Sequence, residues 1–336
     1  MLAQALARLG VPADRVRTTT ATAAGGEGTL AVTELAPPPA TDAAADAKPL
    51  VLLMHGIGDT SATFRHLAPK LADAGYTVVA HDLRGSGQSS TAFASYLPEE
   101  AAKDALAVAE AAVATAAEAA TAGAPASTPD ARAALNRRGV VLVGHSYSAA
   151  SAVWAAAEAP EAVRGVVFLG PFVRDPNEGR GLSVGMKLML RVLMSRPIGA
   201  GFWASYYSGT LHKHPELDRA ELERHTAEIR RTLDGPHLAA LRATMFATKA
   251  ACTARLPEVR APSLTIIGGA DPDYPSPAAE AAYITGALAH TGRAEQLLVD
   301  GAGHYPHFEQ TQATADAILR FLGSRAGPAE APAATA

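Results

Sequence analysis

The sequence predicts an α/β protein: a mostly parallel central sheet flanked by helices, with an all-helical insertion late in the chain. Three observations carry this. Short apolar runs at 50–54, 77–82, 139–143, 165–169, 263–269 and 295–299 alternate with helical stretches. Several of these runs are apolar without a break, as strands covered on both faces are. The alternation stops over about residues 171–258, where only helical patterns occur, and then resumes. The chain therefore divides into a core at 1–170 and 259–323 and a helical cap at 171–258. The tail SRAGPAEAPAATA, at 324–336, is expected to be disordered.

The elements follow in order. Residues 15–21 and 28–35 are rich in Thr and Val, with Gly25, Gly26 and Gly28 at the turn, so they read as an antiparallel pair. APPPATDAAADAKP (36–49) is a linker with nothing to pack. The strand at 50–54 ends in His55-Gly56, and a helix at 61–74 ends at Gly75. The strand at 77–82 runs into LRGSGQSS, whose two glycines lack the third that dinucleotide spacing needs and are followed by no Lys-Ser/Thr. A tight turn fixed by Asp82 and Arg84 is the better reading. Pro98-Glu99-Glu100 opens a helix to about 120, since Pro and acids suit a first turn. A surface loop (121–130), the strand 139–143, a helix at 147–158 and the strand 165–169 come next. The insertion holds helical stretches at 182–194, 215–233 and 237–250. The strand 263–269, helix 277–290, strand 295–299 and helix 307–323 close the core.

Composition removes several function classes. A net charge of −4 leaves no electrostatic footprint for nucleic acid or anionic lipid. The one cysteine, Cys252, excludes an internal disulfide and a Cys-rich metal site, and reads as a packed thiol. The N-terminus lacks the basic and apolar regions of a signal peptide. The Ala-rich run 104–122 carries Asp104, Glu110 and Glu118 and cannot cross a bilayer. The expected location is the cytoplasm.

Chemistry concentrates at strand ends. In Gly144-His145-Ser146-Tyr147-Ser148 an apolar strand runs straight into a small-residue helix. A serine on such a strained turn projects its hydroxyl above the sheet, and positions two before and two after must be small. Gly144 meets that need; Ser148 stands where glycine is usual. The plainer role for Ser146 is a helix N-cap. A serine nucleophile needs a base. His304, in VDGAGHYPHFE, follows a strand in a glycine-rich turn that can bring its imidazole over the strand ends. His304-x-x-His307 also has a metal-pair spacing, but no third ligand clusters with it. Asp271 and Asp273 in GGADPDY, or Asp175 in PFVRDP, could orient the base. A tetrahedral intermediate needs two N–H donors. Tyr147, directly after the serine, is one, and Ile57, beside Gly56, is the simplest second.

Together these occur in the order Ser, Asp, His, each after a separate strand, with a donor loop upstream. The sequence resembles the α/β-hydrolase superfamily over residues 28–323. The resemblance rests on HG at 55–56, D-x-R-G-x-G-x-S at 82–89, GHSYS at 144–148, G-x-x-D at 268–271 and GxGH at 301–304. It implies an α/β-hydrolase fold and makes Asp271 the acid of a Ser146–Asp271–His304 triad. The Ile57 and Tyr147 amides form the oxyanion hole, and no cofactor or metal is needed. It implies cleavage of an ester, thioester or lactone of a small substrate. The cap would shape the pocket, with Phe172, Met186, Met189, Met194, Phe202, Trp203, Tyr206, Tyr207, Met245 and Phe246 on offer, and an apolar substrate follows. The same triad also serves perhydrolase or haloperoxidase chemistry, C–C bond hydrolysis, or a slow small-ligand receptor. Epoxide hydrolases and dehalogenases need a carboxylate where Ser146 stands.

Overall fold

The computed structural model describes residues 1–39, 48–120, 130–175 and 184–324. Most of the 36–49 linker, the 121–130 loop apart from Asp130, the start of the 182–194 helix and nearly all of the 324–336 tail lie outside the described residues, as does the Met186 side chain.

In chain order the elements are α1 (Leu2–Arg8), β1 (Val16–Thr22), β2 (Thr29–Leu35), β3 (Leu50–Met54), α2 (Leu67–Asp73), β4 (Val78–His81), α3 (Pro98–Ala120), α4 (Ala131–Arg138), β5 (Val140–His145), α5 (Ser148–Glu158) and β6 (Val163–Leu169). Then come α6 (Val184–Leu193), α7 (Gly199–Thr210), α8 (Arg219–Thr232), α9 (Gly235–Met245), α10 (Ala250–Ala254), β7 (Ser263–Gly268), α11 (Pro277–Ala287), β8 (Ala294–Val299), α12 (Pro306–Glu309) and α13 (Thr311–Ser324). The strands form one eight-stranded sheet ordered β1-β2-β4-β3-β5-β6-β7-β8. β1 pairs antiparallel with β2, and β2 with β4; every later pairing is parallel. This is the α/β-hydrolase architecture with a helical insertion between β6 and β7.

The unbroken apolar runs have a direct cause. Successive strand side chains face opposite sides. Leu50, Leu52 and Met54, with Val140 and Leu142, enter one core beneath α3, α4, α5 and α11. Val51 and Leu53, with Val141 and Val143, enter the other, beneath α1, α2 and α13. Both faces are covered, so neither set is polar.

Differences from the sequence reading have local reasons. The 61–74 helix is a 3-10 turn at Ser61–Phe64 followed by α2, because Pro69 belongs in a first turn, where its missing N–H costs nothing. The 237–250 stretch ends at Met245 and the 307–323 stretch breaks at Gln310. α1 was not expected; Leu2, Ala5 and Leu6 bury beside α2 and α13. α7 was not expected either. Its three glycines and four aromatics make a weak intrinsic helix, and burial of Trp203, Ala204 and Tyr207 holds it.

Candidate active site

Ser146 is the one non-glycine residue with positive φ among the described residues, at 55°. A serine there is strained, and it persists because its surroundings fix it. Its N–H donates to the Leu169 carbonyl at 2.9 Å, and its carbonyl accepts from Phe172 at 3.0 Å. A Cβ on Gly144 would sit 2.6 Å from the Ser148 carbonyl oxygen, so that position must be glycine. Ser148 does not cap the helix. Its hydroxyl donates to the His55 carbonyl at 2.6 Å, tying the elbow to the end of β3. The glycine usual there has been replaced by a side chain with a bond to make.

The loop after β3 passes close to this turn. A Cβ on Gly56 would lie 2.9 Å from Ser146 Cβ, so only glycine allows the approach. Ile57 and Tyr147 line the same cavity as Ser146 and His304.

His304 arrives from the loop after β8. Its Nδ1 donates to Asp271 Oδ2 at 2.8 Å, which leaves Nε2 as the ring's acceptor. The other Asp271 oxygen accepts the Asp273 N–H at 3.0 Å. Of the three acids considered, Asp271 thus meets the imidazole directly. Asp273 lies 3.7 Å from His304 Nδ1. Asp175 is elsewhere, accepting from the Thr248 hydroxyl and the Lys249 N–H. Burial lowers the affinity of His304 for a proton, but the Asp271 and Asp273 carboxylates outweigh it and push the pKa up to about 9.

His307 does not join His304. It is buried against Phe64, with Nε2 3.1 Å from the Thr63 hydroxyl. Among the described residues, the ligand atoms that gather within 4.8 Å belong to Asp271, Asp273 and His304. Cys252 is buried, with its thiol pushed up to about 12 by burial, the packed role expected of it. Asp82 accepts from the Ser61 N–H and hydroxyl and the Gln88 N–H, and Arg84 forks onto Asp104, so 82–90 is the expected tight turn.

A cavity of about 400 Å³ opens over Ser146 and His304. Of the aromatic and methionine candidates, Phe172, Phe202, Trp203, Tyr206 and Met245 line it. Tyr207 and Met194 are fully buried in the helical core instead, Met189 is exposed, and Phe246 does not reach the cavity.

Three positions around the site escaped sequence reasoning. Glu309 accepts N–H donors from Gly303, Lys213 and His214, and so shapes the turn that presents His304. Asp59 accepts from His225 Nε2 at 2.9 Å and the Tyr207 hydroxyl at 3.0 Å, binding the Ile57 loop to α7 and α8. Lys249 is the one lysine lining the cavity among the described residues. An acid after HGIG was a signal for Asp59; no pattern pointed to the others.

A family model described as serine aminopeptidase, S33, matches residues 45–311. Epoxide hydrolase B of Mycobacterium tuberculosis is 55% identical over 42 residues, 12% of this chain and 12% of that protein. A bromoperoxidase from Bacillus anthracis superposes with a TM-score of 0.69 at 16% identity, covering 92% of this chain and 100% of the other. A thermophilic esterase from Thermogutta terrifontis superposes with a TM-score of 0.64 at 20% identity, covering 93% and 100%. At these identities the superpositions establish fold alone. No helix among the described residues is long and apolar enough to cross a membrane.

Proposed function

Taking as premise that this chain belongs to the serine aminopeptidase, S33, family of α/β hydrolases, we propose that it is a cytoplasmic serine hydrolase. It cleaves an ester, thioester or lactone of a small substrate through an acyl-enzyme, beneath a cap formed by the helices between β6 and β7. The observation that carries this is the strained Ser146, in one cavity with a histidine whose Nδ1 is held by a buried carboxylate.

Ser146 Oγ attacks the acyl carbon while His304 Nε2 takes its proton. Asp271 keeps the proton on Nδ1 and stabilises the imidazolium. The Ile57 and Tyr147 amides receive the oxyanion. His304 then protonates the leaving group, and water, deprotonated by His304, releases the acid. No cofactor enters.

The epoxide hydrolase likeness does not change the reaction class. A carboxylate that opens an epoxide forms an ester that water can cleave. Ser146 attacking an epoxide carbon would form an ether, which water does not cleave, and the enzyme would stop after one event.

Rapid mixing with p-nitrophenyl acetate tests the reading. It predicts release of p-nitrophenolate and one acetyl group trapped on Ser146 by acid quench and peptide mass analysis. Acetylation confined to another residue, or hydrolysis with Ser146 never modified, would reject it.

A further inference from the structure

The cavity over Ser146 is apolar apart from a few side chains, and most of those are already committed. The Tyr147 hydroxyl donates to the Tyr96 carbonyl at 2.7 Å, Tyr206 donates to Asp273 at 2.8 Å, and Thr244 donates to the Ala240 carbonyl at 3.0 Å. Asp273 faces His304 with its other oxygen.

Lys249 differs. Its side chain is 10% exposed, and among the described residues its ammonium makes one polar contact, 3.5 Å to Asp175 Oδ1, at the limit of a hydrogen bond. Asp175 is a weak counter-ion, 41% exposed and occupied by the Thr248 hydroxyl and the Lys249 N–H. The ammonium stands 5.9 Å from the centre of the Phe172 ring, and that ring lies 5.6 Å from the His304 ring. Burial pulls the Lys249 pKa below its usual value, the sign of a cation short of compensation. An ammonium carries three donors, and a buried one is costly unless they are met.

We propose that Lys249 is a carboxylate-recognition group of the substrate cavity, so that the acyl part of the substrate has an apolar body and an anionic end. The assignment of that end to the acyl part rests on the hydrolase reading; the carboxylate site does not. A carboxylate beside Nζ would supply the charge-assisted bonds that Asp175 leaves unmade. Phe172 and the other aromatic walls would hold the carbon chain between it and Ser146.

Calorimetric titration of the full chain with 4-phenylbutyrate and with 4-phenylbutanamide tests this, because the two differ in charge and hardly in shape. The wild type is expected to bind the carboxylate at least about tenfold more tightly, as one added charged hydrogen bond gives. Lys249→Met levels the two, and Lys249→Arg retains part of the preference. Equal binding, tighter binding of the amide, or no binding of either by the wild type overturns the proposal, as does a preference that survives in Lys249→Met. Should Lys249→Met not fold, a crystal structure of the wild type with 4-phenylbutyrate decides. The carboxylate lies within hydrogen-bond reach of Nζ or the proposal is wrong. These are binding measurements, so they read out separately from ester turnover: a protein that binds the carboxylate but never acylates Ser146 keeps this site and loses the hydrolase reading.

Discussion

The parallel strands and the helices between β6 and β7 surround the same cavity, but they hold it differently. β3, β5 and β7 are buried along their whole length, on both faces, and their carboxyl ends deliver Ile57, Ser146 and Asp271. The helices are looser. α6 leaves Leu188, Met189 and Val192 exposed while its Leu190 lines the cavity. They are fastened by polar ties: Trp203 Nε1 to the Gly58 carbonyl at 2.8 Å, Tyr207 and His225 to Asp59, and Tyr206 to Asp273. Burial of the strands thus places the proposed reacting groups, and hydrogen bonds hold the groups that shape the pocket. Most of those bonds land on the Gly58-Asp59 turn beside Ile57, so the helices also steady the proposed oxyanion loop.

Substitutions on the two sides should separate accordingly. The largest effect belongs to the sheet. Ser146→Ala should lower kcat on a p-nitrophenyl ester by about four orders of magnitude or more, with the fold unchanged by circular dichroism. If Ser148→Ala did this instead, the nucleophile would be misassigned. Next comes the fastening. Burial works against the Asp59 carboxylate, but the charge and hydrogen bond of His225 hold its pKa well below the usual carboxylate range. Asp59→Asn weakens both ties, and a displaced Ile57 amide should cost about tenfold to a hundredfold in kcat, with little change in KM. An effect confined to KM would mean that the helices shape the pocket alone.

The third effect is on pH. His304 must be neutral to act as base, and its pKa is raised to about 9, so kcat/KM should still be climbing at pH 8. Asp273→Asn removes one of the charges that favour the imidazolium, and the acid limb should move to lower pH. A limb that stays in place would remove Asp273 from the electrostatics of the site.

Stability gives a smaller effect of the opposite kind. Burial lowers His307 to about 3 and His81 to about 4, so the fold keeps both neutral. The unfolded chain protonates them near 6.5. Their contribution is therefore full above that pH and lost as pH falls, by about 2 kcal/mol each at pH 5. His304 runs the other way: its contribution is full below 6.5 and lost as pH rises through about 9. Melting should occur at a lower temperature at pH 5 than at pH 7; equal values would contradict the buried neutral histidines. The smallest effect is Ser148→Ala, which removes the bond to the His55 carbonyl and should cost about 1 kcal/mol with turnover nearly unchanged.

What was legible in the sequence follows the same division. Strands buried on both faces write themselves as unbroken apolar runs, and residues at their ends inherit positions from them. Ser146 and His304 could therefore be named from their places after strands; order and spacing left Asp271, Asp273 and Asp175 open as the acid, the family resemblance singled out Asp271, and the structure brings Asp271 onto His304. The insertion was harder. α7 has a sequence that forms a helix only because Trp203 and Tyr207 find a core. Whether an aromatic lines the cavity or packs behind it depends on helix rotation: Tyr206 and Tyr207 are neighbours and go to different places. Lys249 meets Asp175, and Glu309 meets Lys213 and His214 as well as nearby Gly303, so no local pattern alone marks either.

In the proposed mechanism the strained serine at the end of β5 is the nucleophile and His304 activates it. Treating the folded protein with a fluorophosphonate and mapping the adduct by mass spectrometry tests it directly. One adduct is expected, on Ser146, formed far more slowly in His304→Ala. Labelling elsewhere, or none on well-folded protein, would contradict it.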